Sequence, residues 1–209
     1  NMPIVTFIDT PGPDLSQEAE QRGLGNAIAS TMALMARVDV PSVSVIIGEA
    51  GSGGALVLGV ADRTLMLENA TYSAVSPEEA AEIIFQDVDR ADEAAESMKL
   101  TAYDCRDLGI IDTVVPEPPG GAHLDPEEAA RQLRRMIVSE LVNLQSTATK
   151  KMLKDRYKKY RNIGEYSSYF SAALTREVNA LQNLVSSGAR WITRRSAPTD
   201  SPPKPEKPD

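Results

Sequence analysis

The sequence is poor in the residues that form disulfides, bind zinc or cross membranes. Its 209 residues include one cysteine, Cys105, and one histidine, His123. A single cysteine excludes an intrachain disulfide and argues against a cysteine-based zinc site within this chain. No apolar run approaches the roughly 20 residues of a membrane span, and the first residues carry no secretory-signal pattern. These absences predict a cytoplasmic protein that binds no metal and no membrane.

Aromatic residues are also scarce, at 5% of the chain, so the core has to rest on Ala, Val, Ile and Leu. Hydrophobic residues make up 42% and charged residues 25%, as is typical of a globular protein. The net charge is −8. Acidic residues dominate residues 1–146, whereas basic residues outnumber acidic ones over residues 147–197. The acidic body predicts no binding to nucleic acid.

Apolar runs and helical spacing alternate along the first 124 residues. Residues 4–8 and 42–47 are rich in β-branched and apolar residues, which is typical of strands covered on both faces. Alternating strands and helices joined by short loops predict an α/β layered domain. Further strands are predicted at residues 64–67, 72–75 and 110–115, and helices at residues 17–37, 55–60, 89–100 and from Pro77 onward.

From Asp125 onward only helices are predicted, at residues 125–144, 147–161 and 166–194. The tail after Ser196 is rich in Pro, Lys, Asp and Ser and is predicted to be disordered. The basic stretch at residues 150–161 is interpreted as a solvated helix face, with an anion-binding or partner surface as the alternative. The predicted organisation is a core at residues 1–124, helices at 125–195 and a tail at 196–209.

The strongest local signal is the glycine-rich segment at residues 48–54, between a predicted strand and a predicted helix. Glycine lets backbone N–H groups approach a ligand. At the start of a helix, such N–H groups favour an anion or a developing oxyanion. The alternative is tight packing between the strand and the helix. The segment alone supports both interpretations equally.

Three other interpretations of these motifs are weaker. A P-loop fails because Gly54-Ala55 stands where Lys followed by Ser or Thr is needed. Asp9-Thr10-Pro11-Gly12 resembles a GTPase switch motif, but no P-loop accompanies it. A serine hydrolase would use Ser52 as its nucleophile and would need a base. The one candidate base is His123, for which we predict a structural role or a place at the edge of a substrate site.

A series of short motifs runs along the sequence at fixed distances from one another. The motifs are Phe7-Ile8-Asp9-Thr10-Pro11-Gly12, Ala19-Glu20, Arg22-Gly23, Val40-Pro41, Ile47-Gly48-Glu49, Gly51-Ser52-Gly53-Gly54-Ala55-Leu56, Met66-Leu67, Thr71-Tyr72-Ser73, Val75-Ser76-Pro77-Glu78, Ala94-Ala95-Glu96, Met98-Lys99, Leu108, Ile110-Ile111-Asp112, Pro116-Glu117-Pro118 and Gly120-Gly121-Ala122-His123. Taken together, they closely resemble the carboxyltransferase alpha subunit of acetyl-CoA carboxylase. The resemblance covers roughly residues 1–140.

The resemblance implies a crotonase/ClpP-like fold, in which β-β-α units repeat and α and β chains pair. Because the family begins upstream of Asn1, it also implies that the first β-β-α part is missing from this sequence. The implied activity is transfer of a carboxyl group from carboxybiotin to acetyl-CoA, which gives malonyl-CoA for fatty acid synthesis. The implied partners are a beta-type subunit in an α2β2-type assembly, a biotin carboxyl carrier protein, biotin carboxylase and the acyl-CoA substrate.

Carboxyl transfer of this kind requires stabilised oxyanions and no nucleophilic side chain. Negative charge develops on the urea oxygen of biotin and on the thioester oxygen of acetyl-CoA, and each N–H donor aimed at such an oxygen is worth roughly 3 kcal/mol. Carried over from the family, the catalytic oxyanion hole on the biotin side is the backbone of Gly53 and Gly54. Gly51 and Ser52 shape the same biotin-binding loop. Biotin is expected on a separate carrier protein.

The sequence departs from the family pattern in two places. Residues 13–16 are Pro-Asp-Leu-Ser where the family usually has Ala-Tyr-Pro-Gly, and Leu24 stands where the family often has glutamine. The alternatives are a carboxyltransferase for another acyl-CoA and a noncatalytic scaffold or regulatory subunit. A stand-alone crotonase-fold hydratase would need carboxylates at its acyl pocket, for which Glu49 and Glu78 are the candidates.

Overall fold

The apolar run at residues 42–47 becomes the central strand of a parallel sheet. In the computed structural model, which describes residues 2–164, this strand, β2, spans Ser42–Gly51. The sheet has the order β1-β2-β3-β5, β4 pairs with the last part of β2, and every pairing is parallel. The other strands are β1 (Ile4–Thr10), β3 (Arg63–Leu67), β4 (Thr71–Ser73) and β5 (Thr113–Val115).

Eight α-helices and a short 3-10 turn at Val88–Arg90 accompany the sheet within residues 2–164. The helices are α1 (Gln17–Gln21), α2 (Leu24–Met35), α3 (Ser52–Gly59), α4 (Pro77–Phe85), α5 (Ala91–Met98), α6 (Ala102–Asp107), α7 (Pro126–Gln145) and α8 (Thr149–Asn162). Side-chain caps determine where several of them begin. Ser76 and Glu79 form a capping box at the start of α4, and Asp125 accepts the N–H of Glu128 (3.0 Å) at the start of α7.

The structure corrects three details of the predicted elements. The helix expected at residues 17–37 is two helices, because Gly23 adopts a left-handed φ of 79° between them. Helix α6 was not predicted, although Thr101 caps it. Strand β5 is shorter than predicted because the N–H groups of Ile110 and Ile111 donate to the carbonyl of Cys105 instead of extending the strand.

Helices α7 and α8 share the main hydrophobic core with the sheet. Leu144 and Met152, one from each helix, are buried in the same cluster as the sheet residues Ile8, Val43, Val45, Ile46, Leu65, Met66 and Val115. The helix predicted at residues 166–194 and the tail at 196–209 lie outside the described residues, and the domain boundary at residue 124 stays a prediction. Among residues 2–164, no helix combines the length and apolar character that a membrane span requires.

The basic helix α8 is held against the sheet by buried charges. Arg156, whose side chain is 1% exposed, donates two hydrogen bonds to the carboxylate of Asp62, at 2.8 and 2.7 Å. One turn further along α8, the mostly buried ammonium of Lys159 pairs with the carboxylate of Asp112. The interpretation of residues 150–161 as a solvated face is therefore wrong for Arg156 and Lys159.

Candidate active site

The glycine-rich segment forms the junction between β2 and α3. Gly51 is the last residue of the strand, and Ser52 begins the helix directly after it. Ser52 has a φ of 54°, a left-handed conformation that residues other than glycine rarely adopt. Conformations of this kind cost of order 1–3 kcal/mol and are concentrated at functional sites. The chain therefore turns sharply here and presents the first backbone groups of α3 at one end of the sheet.

The Asp9–Gly12 turn packs directly against this junction. A Cβ atom added to Gly51 would lie 1.9 Å from the carbonyl oxygen of Pro11, so only glycine fits. On the other side of the turn, the carboxylate of Asp9 accepts the N–H of Glu49 at 3.0 Å. Two motifs that are 40 residues apart in the sequence are thus in direct contact, and the turn supports the backbone of the glycine-rich segment.

The two ends of α3 differ in how their backbone groups are satisfied. At the C-terminal end, the carbonyl of Leu58 accepts the hydroxyl of Thr6 (2.7 Å), and the carbonyl of Gly59 accepts the hydroxyl of Tyr160 (2.8 Å). At the N-terminal end, the N–H groups of Gly53 and Gly54 have no acceptor among the described residues. The first N–H groups of a helix have no intrahelical partner, so these two are available to a ligand.

A cavity of about 510 Å³ opens beside the start of α3. A Cβ atom added to Gly53 would meet nothing within 4 Å, whereas one added to Gly54 would lie 3.1 Å from the backbone of Gly12 and Pro13. Of the two glycines, Gly53 therefore faces open space and Gly54 packs against the Asp9–Gly12 turn. The cavity is lined by Ser52, Gly53, Leu56, Tyr72, Ser73, Ala74, Met98, Lys99, Leu100 and Ile110.

Burial keeps two groups neutral, Tyr72 in the cavity wall and Cys105 behind it. Burial raises the pKa of the Tyr72 hydroxyl to about 12, with a further contribution from Tyr160. Burial likewise raises the pKa of the Cys105 thiol to about 11, and the neighbouring Asp104 adds to the effect. Both groups therefore stay protonated near neutral pH, so neither provides an anionic base or nucleophile.

The structure places Ser52 and His123 in different cavities. Ser52 lines the cavity beside α3, whereas His123 lines a second one of about 530 Å³ at the ends of β3 and β5. There His123 lies close to Glu117, whose carboxylate accepts the N–H groups of Asn69 (2.9 Å) and Ala122 (2.7 Å). Burial raises the pKa of Glu117, but these hydrogen bonds outweigh it and hold the pKa below its usual range. His123 thus lies in a loop that Glu117 holds through hydrogen bonds, and it does not pair with Ser52.

Carboxylates and metal ligands are also absent from the described part of the cavity wall. Glu49 and Glu78 do not line it, so the arrangement gives no support to the hydratase alternative. Within residues 2–164, no cluster of three or more His, Cys, Asp or Glu side chains could hold a metal ion. Residues 13–16, which depart from the family pattern, do not line the cavity either. Within them, Asp14 and Ser16 form the turn that begins α1.

Comparison with protein families decides the relationship that the motifs suggested. A family model described as acetyl co-enzyme A carboxylase carboxyltransferase-like matches residues 1–164. The chain belongs to this family. The match extends beyond the resemblance at residues 1–140 and includes α8, so this basic helix is part of the family's fold.

A relative in the family shows how much of a full-length protein this chain represents. The acetyl-coenzyme A carboxylase carboxyl transferase subunit alpha of Staphylococcus aureus (strain Newman) is 48% identical over 166 residues. The aligned part covers 79% of this chain and 53% of that protein. The chain therefore spans about half the length of the curated relatives it matches.

Solved structures confirm the fold class. Transcarboxylase 12S, solved with methylmalonyl-coenzyme A and methylmalonic acid bound, matches 71% of this chain and 28% of its own with 25% identity and a TM-score of 0.59. A Pseudomonas malonate decarboxylase hetero-tetramer in complex with malonate matches 85% of this chain and 66% of its own, with a TM-score of 0.61. At 19% identity the second likeness shows the fold alone. The chain thus has the predicted α/β, crotonase-like carboxyltransferase fold.

The wall of the cavity that faces α3 was not predicted from the sequence. The motifs Thr71-Tyr72-Ser73 and Met98-Lys99 were part of the resemblance, but no role was assigned to them. They are adjacent because the N–H of Tyr72 donates to the carbonyl of Leu100 (3.1 Å) and Thr71 forms an antiparallel bridge with Thr101. No local sequence pattern predicts that these two segments are adjacent. Both do belong to the motif series, which was the one sequence signal for them.

Proposed function

We propose that this chain is part of a carboxyltransferase alpha subunit that works on the biotin side of acetyl-CoA carboxylase. The observation that carries the proposal is the pair of N–H groups of Gly53 and Gly54 at the start of α3, which have no acceptor within residues 2–164, with Gly53 in the wall of the α3 cavity. They begin a helix, whose N-terminus carries a partial positive charge. Two fixed donors of this kind are suited to an oxygen that becomes anionic during the reaction, and they require no general base.

The cavity suits a carboxylated biotin ring. Its volume of about 510 Å³ lies within the range of roughly 300–1,000 Å³ that is typical of small-molecule sites. Leu56, Met98 and Leu100 give it apolar walls, and the start of α3 gives it polar donors. Carboxybiotin, carried on a separate protein, would supply the carboxyl group. The chain's own contribution is to orient the urea oxygen and to stabilise charge on it, at roughly 3 kcal/mol of barrier per donor.

The remaining parts of the reaction belong to partners in this proposal. A beta-type subunit provides the acyl-CoA side, in an α2β2-type assembly, and a biotin carboxyl carrier protein delivers the group that biotin carboxylase has loaded. The product is malonyl-CoA for fatty acid synthesis in the cytoplasm. The support for these partners is membership of the family and the alpha-subunit name of the relatives that are 48% identical.

A pair of glycine substitutions tests the role of the α3 amides. Gly53 and Gly25 both lie in helices, and a Cβ atom at either one meets nothing within 4 Å. Both Gly53→Val and Gly25→Val are therefore expected to fold and to assemble with the beta-type subunit. At residue 53, however, the isopropyl group enters the cavity beside the amides. We expect Gly53→Val to reduce turnover by about a hundredfold or more and Gly25→Val to leave it unchanged.

The assay is malonyl-CoA-dependent carboxylation of biocytin by the complete alpha chain with its beta-type partner. Co-purification and thermal midpoints are measured on the same samples, so that loss of assembly is separated from loss of rate. Equal turnover of the two variants contradicts the oxyanion role. Absence of turnover in the unsubstituted complex contradicts the enzymatic proposal itself and favours a scaffold role.

A further inference from the structure

The wall of the α3 cavity that faces the helix is a short segment after α5. Its residues lie antiparallel to β4, through the Tyr72-to-Leu100 hydrogen bond and the bridge between Thr71 and Thr101. The buried thiol of Cys105 lies 3.7 Å from the carbonyl oxygens of Lys99 and Leu100, behind the segment. Backbone contacts on two sides thus determine the path of the segment, and Lys99 lies in its middle, in the cavity wall.

Lys99 occupies a backbone conformation that disfavours a lysine. Its φ and ψ are 57° and 56°, in the left-handed region, at the C-terminal cap of α5. Glycine is the usual residue at this position of a helix, because a Cβ atom makes the left-handed conformation costly. A lysine in this glycine-favouring conformation suggests a use for its side chain.

Charge distinguishes Lys99 from the rest of the wall. Among the described residues that line the cavity, it is the one with a charged side chain. Its ammonium group has no ion pair and no hydrogen bond to any residue in the described range 2–164, whereas Lys159 and Lys151 each have a carboxylate partner. An ammonium group beside a cavity, with its donors unused, is suited to an anion that enters from solvent.

We propose that Lys99 binds the anionic group of the substrate, in the cavity that it lines together with Gly53. This inference rests on the proposed function and adds a second, side-chain element to the site. The ligand chemistry is a carboxylate or a phosphate, since both accept hydrogen bonds from an ammonium group. The two sources are the carboxyl group in transfer and the phosphates of coenzyme A.

Three substitutions separate charge from backbone strain. Lys99→Met removes the charge and keeps the strain, Lys99→Arg keeps both, and Lys99→Gly removes both. Lys154→Met is the matched control, because Lys154 is exposed on α8, outside the cavity wall, and has no recorded partner among residues 2–164. Lys99→Gly is expected to fold at least as well as the unsubstituted chain, with an equal or higher thermal midpoint.

The readout is kcat/KM for malonyl-CoA in biocytin carboxylation by the complete complex. Lys99→Met and Lys99→Gly are expected to lower it about tenfold to a hundredfold, the effect of one charged hydrogen bond. Lys99→Arg is expected to retain most of it, and Lys154→Met all of it. The two sources of the anion are distinguished by the inhibition constant of acetyl-CoA. If Lys99 binds the carboxyl group in transfer, its substitution leaves the inhibition constant of acetyl-CoA unchanged. If Lys99 binds a phosphate of coenzyme A, the substitution raises that constant by the same factor by which it weakens malonyl-CoA binding.

Two results overturn the inference. The first is an unchanged kcat/KM in Lys99→Met and Lys99→Gly, while the unsubstituted complex turns over. The second is a loss of rate that occurs only together with a lowered thermal midpoint, because that pattern shows a structural role. Neither result bears on the Gly53 amides, whose failure is seen separately as an unaffected rate in Gly53→Val.

Discussion

The buried ion pair between Arg156 and Asp62 gives the clearest quantitative prediction for stability. Besides its two bonds to Asp62, the guanidinium donates to the carbonyls of Met35 (2.9 Å), Val38 (2.7 Å) and Val40 (3.2 Å). The carboxylate of Asp62 also accepts the N–H and hydroxyl of Ser42, at 2.8 and 2.9 Å. One side chain of α8 thus joins the end of α2, the start of β2 and the loop before β3.

Removal of Arg156 leaves a buried carboxylate without its countercharge and three carbonyls without a side-chain donor. Truncation of one partner of a buried ion pair typically costs about 3–5 kcal/mol. We expect Arg156→Met to lower the free energy of unfolding by this amount. Because the side chain is 1% exposed, screening by salt is weak, and the loss is expected to persist in high salt.

The matched control is Lys151→Met on the same helix. Lys151 pairs with Asp155 at the surface, with side chains that are 69% and 49% exposed, and exposed pairs contribute at most about 1 kcal/mol. The assay is urea unfolding of both variants. Unfolding of Asp62→Asn and of the double variant Arg156→Met/Asp62→Asn in addition gives the coupling energy of the buried pair. A cost for Arg156→Met that is no larger than that of Lys151→Met refutes the reasoning.

Three further predictions concern other parts of the core. Gly51→Ala is expected to destabilise the fold by at least about 3 kcal/mol in urea unfolding, because its Cβ would lie 1.9 Å from the Pro11 carbonyl oxygen; a smaller cost means that the Asp9–Gly12 turn can move away. Tyr160→Phe is expected to cost about 1–3 kcal/mol in the same assay, since the N–H of Ala61 loses its acceptor at 2.8 Å; no measurable change contradicts the role of Tyr160 at the end of α3. Cys105 is expected to react with iodoacetamide at pH 8 at least about a hundredfold more slowly in the folded protein than in urea, because burial raises its pKa from 9.0 to about 11. Equal rates contradict that shift.

These predictions meet at α3. Its C-terminal carbonyls are bonded to side chains from β1 and α8, and its N-terminal amides Gly53 and Gly54 have no acceptor within residues 2–164. Stability measurements on Tyr160 test how the helix is held, and rates for Gly53 test what its N-terminal end does. A loss of rate in Tyr160→Phe beyond its loss of stability shows that the position of α3 matters to the reaction.

The sequence by itself determined the family, the layered α/β fold and the glycine-rich segment as the candidate site. Buried strands and capped helices are local patterns, because period, β-branching and capping residues act over a few positions. Residues 42–47 accordingly became the first part of β2, which is buried at residues 42–46. Residues 4–8 became β1, but the prediction that both its faces are covered was wrong, because Ile8 is buried whereas Phe7 is exposed. The motif series identified the family because its members keep fixed distances along the chain.

Only the tertiary structure decided what each glycine does, where the cavity lies and what the basic helix contacts. Gly53 and Gly54 are neighbours in the sequence, but one faces open space and the other packs on the Asp9–Gly12 turn. Arg156 resembles its exposed neighbours in the sequence, yet it is buried on Asp62, which is 94 residues away. Such contacts depend on how distant segments are packed in three dimensions, and local patterns carry no record of that packing.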